Sequence, residues 1–160
     1  MRNNYARNIA MGGVIAALYV VLTVVANALG LASGAVQVRF SEALTIMPVF
    51  TASAIPGLTV GCVLANLITG CAPWDVVFGS LATLLGAVGT RLLRKKPLLA
   101  WIPPVVSNML IVPIVLQQVY GVPDVWWYLV LTVGAGEVIS CGILGLLLYR
   151  SLKNNPQLKQ

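Results

Sequence analysis

Between Ala43 and Trp74 the chain carries no charged side chain, and a second uncharged, largely apolar run extends from Ile9 to Leu31. One helical passage through the hydrocarbon core takes ~20 predominantly apolar residues, and such runs identify the spans of a membrane protein. The rest of the sequence agrees, since 59% of its 160 residues are hydrophobic and 9% are charged, against roughly 25% charged in soluble domains. Lipid is therefore the expected solvent. At ~20 residues per span, six spans and short connections use the whole length. The expected fold is an all-α integral membrane protein, a compact bundle of six transmembrane helices forming one domain over residues 1–160.

The punctuation of the chain places the spans. Helix 1 is expected over Ile9 to Leu31 and is too long for the apolar region of a signal peptide. Gly30 to Phe40 follows as a loop, in which Val36, Val38 and Phe40 alternate with Gln37 and Arg39. That period of two is the mark of an extended piece with one face inward. Ala43 to Trp74 reads as a hairpin of helices 2 and 3, with Pro56-Gly57 as its turn. Helix 4 is expected from Pro73 to Leu93, helix 5 from Leu98 to Val119 with Pro103, Pro104 and Pro113 interrupting it, and helix 6 from Val125 to Tyr149.

Charge then orients the bundle. With the N-terminus inside, nine basic residues (Arg2, Arg7, Arg91, Arg94, Lys95, Lys96, Arg150, Lys153 and Lys159) fall on the cytoplasmic side and only Arg39 falls outside. Excess Lys and Arg mark cytoplasmic flanks, so both termini are expected in the cytoplasm. The net charge of +6 is split among short flanks rather than gathered on one face, which argues against a nucleic-acid partner. Trp126, Trp127 and Tyr128 are placed to mark the outer boundary of helix 6.

Small residues are the next signal, because lipid-embedded helices associate where backbones approach closely. Gly57, Gly61 and Ala65 recur at four-residue spacing on helix 3, as do Ala82, Gly86 and Thr90 on helix 4. Gly12, Gly13, Ala16 and Ala17 offer the same spacing on helix 1. Two readings stand for that last group: internal packing, or a groove for another membrane subunit.

Polar side chains at membrane depth are the candidates for chemistry. Glu137 lies roughly 16 Å inward from Trp126 at helical rise, where a carboxylate is costly unless it is paired, protonated or turned to a wet cavity. Trp126, Val130, Val133 and Glu137 share one stripe of the helix, the expected wall of a pocket. Asn66, Asn108 and Asp75 are further candidates, with interhelical hydrogen bonding the competing role for the amides and complementing the helix dipole that for Asp75. Pro113 leaves the Met109 carbonyl free beside Asn108. Trp74, Phe78 and Trp127 either stack on a flat ligand or anchor the interface. Arg39 and Glu42, three residues apart, either clamp the outer loop as an ion pair or touch the ligand.

Absences narrow the chemistry. There is no histidine, and Cys62, Cys71 and Cys141 lack metal-type spacing, so no metal, no cofactor and no enzymatic nucleophile are expected. No phosphate-binding loop occurs, so ATP-driven transport would need partner subunits.

Three blocks carry a resemblance: Val36-Gln-Val-Arg-Phe-Ser-Glu-Ala-Leu-Thr45, Gly57-Leu-Thr-Val-Gly-Cys-Val-Leu-Ala-Asn66 and Trp74-Asp-Val-Val-Phe-Gly-Ser-Leu-Ala-Thr-Leu-Leu85. With the six-helix layout and the Arg94-Lys-Lys-Pro97 loop, they resemble the queuosine-precursor substrate-binding (S) components of energy-coupling-factor (ECF) transporters over essentially the whole chain. The resemblance implies a multi-pass subunit of the bacterial cytoplasmic membrane that captures a 7-deazaguanine outside and closes the Gly30 to Phe40 loop over it. Its partners would be a transmembrane coupling protein, facing the small-residue surface of helix 1, and two cytoplasmic ATPases. Residues read independently suit such a ligand. Glu137, or else Glu42, would accept the adjacent N–H donors of a guanine-like edge, and Asn108 and Asn66 would read its carbonyl. Asp75 would meet the aminomethyl cation of one precursor. Three other readings stay open: an S-component for riboflavin or thiamine, a small intramembrane enzyme, and a scaffold for a partner complex.

Overall fold

The computed structural model describes residues 2–31 and 36–155, with side chains described from Tyr5 onward. The centre of the Gly30 to Phe40 loop, the Arg2 side chain and Lys159 lie outside the described residues. Six helices follow one another: α1 (Arg2–Ala28), α2 (Phe40–Val49), α3 (Ala54–Ile68), α4 (Pro73–Leu92), α5 (Ile102–Gln118) and α6 (Trp126–Leu152). No strand occurs among the described residues. Four stretches are long and apolar enough to cross a membrane, Tyr5–Ala28, Pro73–Leu92, Pro97–Gln118 and Trp126–Leu152, and the chain is a multi-pass membrane protein.

The two short helices explain the arrangement. α2 is wound as a 3₁₀ helix of ten residues, roughly 20 Å long at its steeper rise, too short to span lipid alone. It is instead enclosed, packing against α1, α3, α4 and α6, with Ser41, Glu42, Leu44, Thr45, Ile46, Met47 and Pro48 buried. Irregular backbone at membrane depth is tolerated when other helices shelter it. Arg91 closes the far end of α2 by donating from Nη1 to the Pro48 carbonyl at 3.0 Å. Around this rod the neighbours pack in the order α1, α3, α4, α5, α6.

Small residues set the closest approach. A Cβ on Gly57 would lie 2.6 Å from the Gly12 carbonyl oxygen, so α1 and α3 touch backbone to backbone, as the four-residue spacing of Gly57, Gly61 and Ala65 predicts. Two expectations need correction. Pro56-Gly57 is not the turn between helices 2 and 3. That connection falls between Val49 and Ala54, and Pro56 sits in the first turn of α3, where its missing N–H has no helical acceptor to lose. Helix 6 is not a uniform α-helix either. From Val138 to Leu144 it is wound as a π-helix and then continues to Leu152. Such wide turns are rare and gather at functional sites.

Candidate functional site

The end of the bundle opposite Arg91 contains a cavity of about 490 Å³. Polar side chains gather in its wall (Thr23 and Asn27 from α1, Gln37 and Arg39 from the strap entering α2, Asn66 and Thr69 from α3, and Asp75 from the first turn of α4), beside the apolar surfaces of Ala26, Leu116 and Val122. Tyr120, in the turn after α5, completes the rim. Its hydroxyl donates to Asp75 Oδ2 at 2.9 Å and accepts from the Ala72 backbone N–H at 3.1 Å. Burial, and then the Asp75 carboxylate, push the Tyr120 phenol up to about 12. The strap is extended at Arg39 (φ −111°, ψ 109°), and the alternation read in the sequence turns Gln37 and Arg39 into the cavity.

Beneath Arg39 lies a pair of buried carboxylates. Glu42 is 2% exposed and Glu137 8%, and one oxygen of each lies within 4.8 Å of the other and of Cys141 Sγ. Tyr19 donates its hydroxyl to Glu42 Oε1 at 2.5 Å. Glu42 Oε2 has no partner among the described residues. Cys141 Sγ donates to Glu137 Oε2 at 3.2 Å, and the side chain of Asn108 hydrogen-bonds to the same carboxylate. Arg39 faces Tyr19, Glu42 and Glu137 electrostatically, while its backbone N–H donates to Ser140 Oγ at 3.1 Å. The π segment thus brings Ser140 and Cys141 to the same centre as Glu137.

Glu42, Glu137 and Cys141 together offer three donors to a metal ion. The guanidinium of Arg39 already supplies the positive charge, and Tyr19 and Cys141 occupy one oxygen of each carboxylate. The chemistry of the set is therefore hydrogen-bond acceptance from an uncharged or cationic donor edge. One free buried oxygen remains for it, on Glu42, and an unpaired polar atom in a dry site costs about 1–3 kcal/mol.

The residues singled out in the sequence divide into three groups. Arg39, Asn66 and Asp75 line the cavity, and Glu42, Glu137 and Asn108 lie beneath it around Arg39. Trp74, Phe78 and Trp127 do neither. Trp74 and Phe78 stack on each other with centroids 6.0 Å apart, Trp127 meets Tyr128 edge-on at 6.3 Å, and all three are outward-facing, 62%, 39% and 59% exposed. Trp126 is likewise at the surface, 45% exposed, rather than at the pocket mouth. On α1, Gly12 and Ala16 pack against Gly57 and Gly61, whereas nothing approaches Gly13 within 4 Å and Ala17 is exposed. Sequence reasoning missed Tyr19, Tyr120, Asn27 and Thr23. A phenol in the middle of an apolar helix was a usable signal for Tyr19, since a buried tyrosine hydroxyl seeks a partner.

A stretch of 86 residues is 33% identical to the protein named "Queuosine precursor transporter QueT" of Lactococcus lactis subsp. cremoris (strain MG1363), covering 53% of this chain and 50% of that one. The aligned part thus spans half the length of this relative. No solved structure matches. The family model described as "QueT transporter" matches residues 9–154, nearly the whole chain, and the chain belongs to that family.

Proposed function

We propose that this protein is the substrate-binding subunit of an ECF-type ABC importer in the bacterial cytoplasmic membrane, capturing a 7-deazaguanine queuosine precursor from outside. The observation that carries the reading is a cavity of about 490 Å³ with apolar walls and several polar side chains set into them, which Arg39 joins to a buried carboxylate pair that keeps one oxygen free. Family membership and the name of the Lactococcus relative point to the same class of cargo.

In this reading the ligand's flat ring occupies the cavity, and its adjacent N–H donors reach Glu42 and Glu137 with help from the amides of Asn66 and Asn108. Arg39 neutralises the carboxylates and orients them, and Asp75, held by Tyr120, takes up a cationic arm. The residue types fit the task, since a carboxylate accepts two donors and an amide offers both a donor and an acceptor. No bond is made or broken, so the protein acts by binding alone. The termini lie in the cytoplasm, and two cytoplasmic ATPases drive uptake through a transmembrane coupling subunit. That subunit docks on α1, where Gly13 and Ala17 are exposed and Gly12, Gly13 and Ala16 line a surface groove of about 590 Å³ together with Tyr5, Ile9 and Val60.

Mass spectrometry of small molecules that co-purify with the detergent-solubilised protein tests the reading. Recovery of a 7-deazaguanine is expected. Recovery of another vitamin, or no measurable affinity for any 7-deazaguanine in a direct titration, would overturn it.

A further inference from the structure

At the end of the bundle away from the cavity, a second hollow of about 340 Å³ opens between the start of α5 and the last third of α6. Trp101, Val138, Gly142, Ile143, Leu147 and Arg150 line it. The absence of a side chain at Gly142 makes the floor, for a Cβ there would meet the Trp101 ring at 3.4 Å. Trp101 is fixed in turn, its indole N–H donating to the Leu98 carbonyl at 2.9 Å. From Val138 to Arg150 the trough follows α6 for roughly 18 Å at helical rise, about the depth of one leaflet of a ~30 Å hydrocarbon core.

The groove is apolar throughout, and the carbon stem of Arg150 lines one end of it, with the charged head outside the apolar lining. Arg150 is exposed and has no hydrogen-bond or ion-pair partner among the described residues. Nor does its surrounding sequence supply one, because the four carboxylate side chains of the chain are Glu42, Asp75, Asp124 and Glu137, none of them between 76 and 123 or beyond 137. The basic residues Arg94, Lys95, Lys96 and Lys153 flank the same end. A guanidinium at the rim of an apolar groove is free to take an anion from outside the protein, and its fork suits phosphate oxygens.

We propose that this groove holds one anionic phospholipid, with an acyl chain along Val138, Gly142 and Leu147 beside Trp101 and the headgroup phosphate on Arg150. Basic pockets between transmembrane helices at the cytoplasmic surface select acidic lipids in this way. The site is separate from the cavity and from the Gly13–Ala17 face of α1, so it stands whatever the cargo is.

Native mass spectrometry of the full chain in detergent, equilibrated with equal amounts of phosphatidylglycerol and phosphatidylcholine, tests the proposal. Retained phosphatidylglycerol is expected to exceed phosphatidylcholine. Arg150→Gln is expected to lower its occupancy about fivefold, while Lys153→Gln, at a neighbouring exposed cation outside the groove, changes it by less than about twofold. Equal retention of the two lipids, or equal losses in the two variants, would reveal a diffuse surface effect or another occupant and overturn the site. Arg150 is exposed, and an unchanged thermal midpoint of Arg150→Gln shows that its substitution reads binding rather than unfolding.

Discussion

The two ends of this bundle handle charge in opposite ways. At the cavity end a single arginine is set near carboxylates, and Tyr19, Tyr120 and Cys141 each donate to one of them inside the protein. At the other end the cations outnumber the carboxylates, and Arg91 is turned inward, onto the Pro48 carbonyl. In the function and the lipid site proposed above, the first end receives a guest and the second meets what lies against it. Removing a polar group should therefore be felt as lost affinity for a small guest at the first end and as altered lipid or partner association at the second.

The largest effect that would break this contrast is at the carboxylate pair. Glu137→Gln is expected to weaken binding of a 7-deazaguanine by about a hundredfold or more, as loss of a charge-assisted hydrogen bond in a dry site implies. Isothermal titration with the purified protein measures it, and unchanged affinity would remove Glu137 from the site. Next comes packing. Gly57→Leu forces a side chain onto the Gly12 backbone and is expected to cost roughly 3 kcal/mol, read as a lowered thermal midpoint by tryptophan fluorescence. A wild-type midpoint would show that the α1–α3 contact is looser than the close approach indicates.

Smaller effects sharpen the comparison. Tyr120 bears on the cavity rim, and its phenol, ordinarily near 10, is pushed up to about 12. A proton held more tightly in the folded state gives stability that is complete below the unfolded value and is lost as pH rises from about 10 through 12. Tyrosinate absorbance of the wild type minus that of Tyr120→Phe should show this delayed ionisation, and Asp75→Asn should bring it to lower pH. A phenol ionising at its ordinary value in the wild type would contradict the Asp75–Tyr120 contact. Least of all is expected from Trp74→Ala and Phe78→Ala, whose rings face outward. Ligand affinity should stay within about twofold, as for groups that are not buried with a guest.

Hydropathy and charge made the six helices legible, because span length is fixed by the membrane and not by detail of packing. Pro56-Gly57 misled for a physical reason. The same dipeptide serves a tight turn and the first turn of a helix, and only the contact with Gly12 shows which role the glycine plays. The 3₁₀ winding of α2 and the π segment of α6 left no sequence mark, since both depend on what encloses them. At the site, Arg39, Asn66 and Asp75 were legible because polar residues at lipid depth are costly and must converge on something. The aromatics were not, for a ring at the boundary of a helix looks alike in sequence whether it meets lipid or a ligand. Tyr120 lay hidden behind the same ambiguity, whereas Tyr19, a phenol in the middle of an apolar helix, gave a signal that was not used.

The strap that carries Arg39 rests directly on α6. The Gln37 carbonyl occupies the place where a side chain on Gly136 would stand, one residue before Glu137. Any motion that lifts the strap withdraws the arginine and bares the adjoining helical turn together. The cover that Arg39 gives the carboxylates and the packing of α6 beside Glu137 are thus mechanically coupled, so that water reaching one would disturb the other.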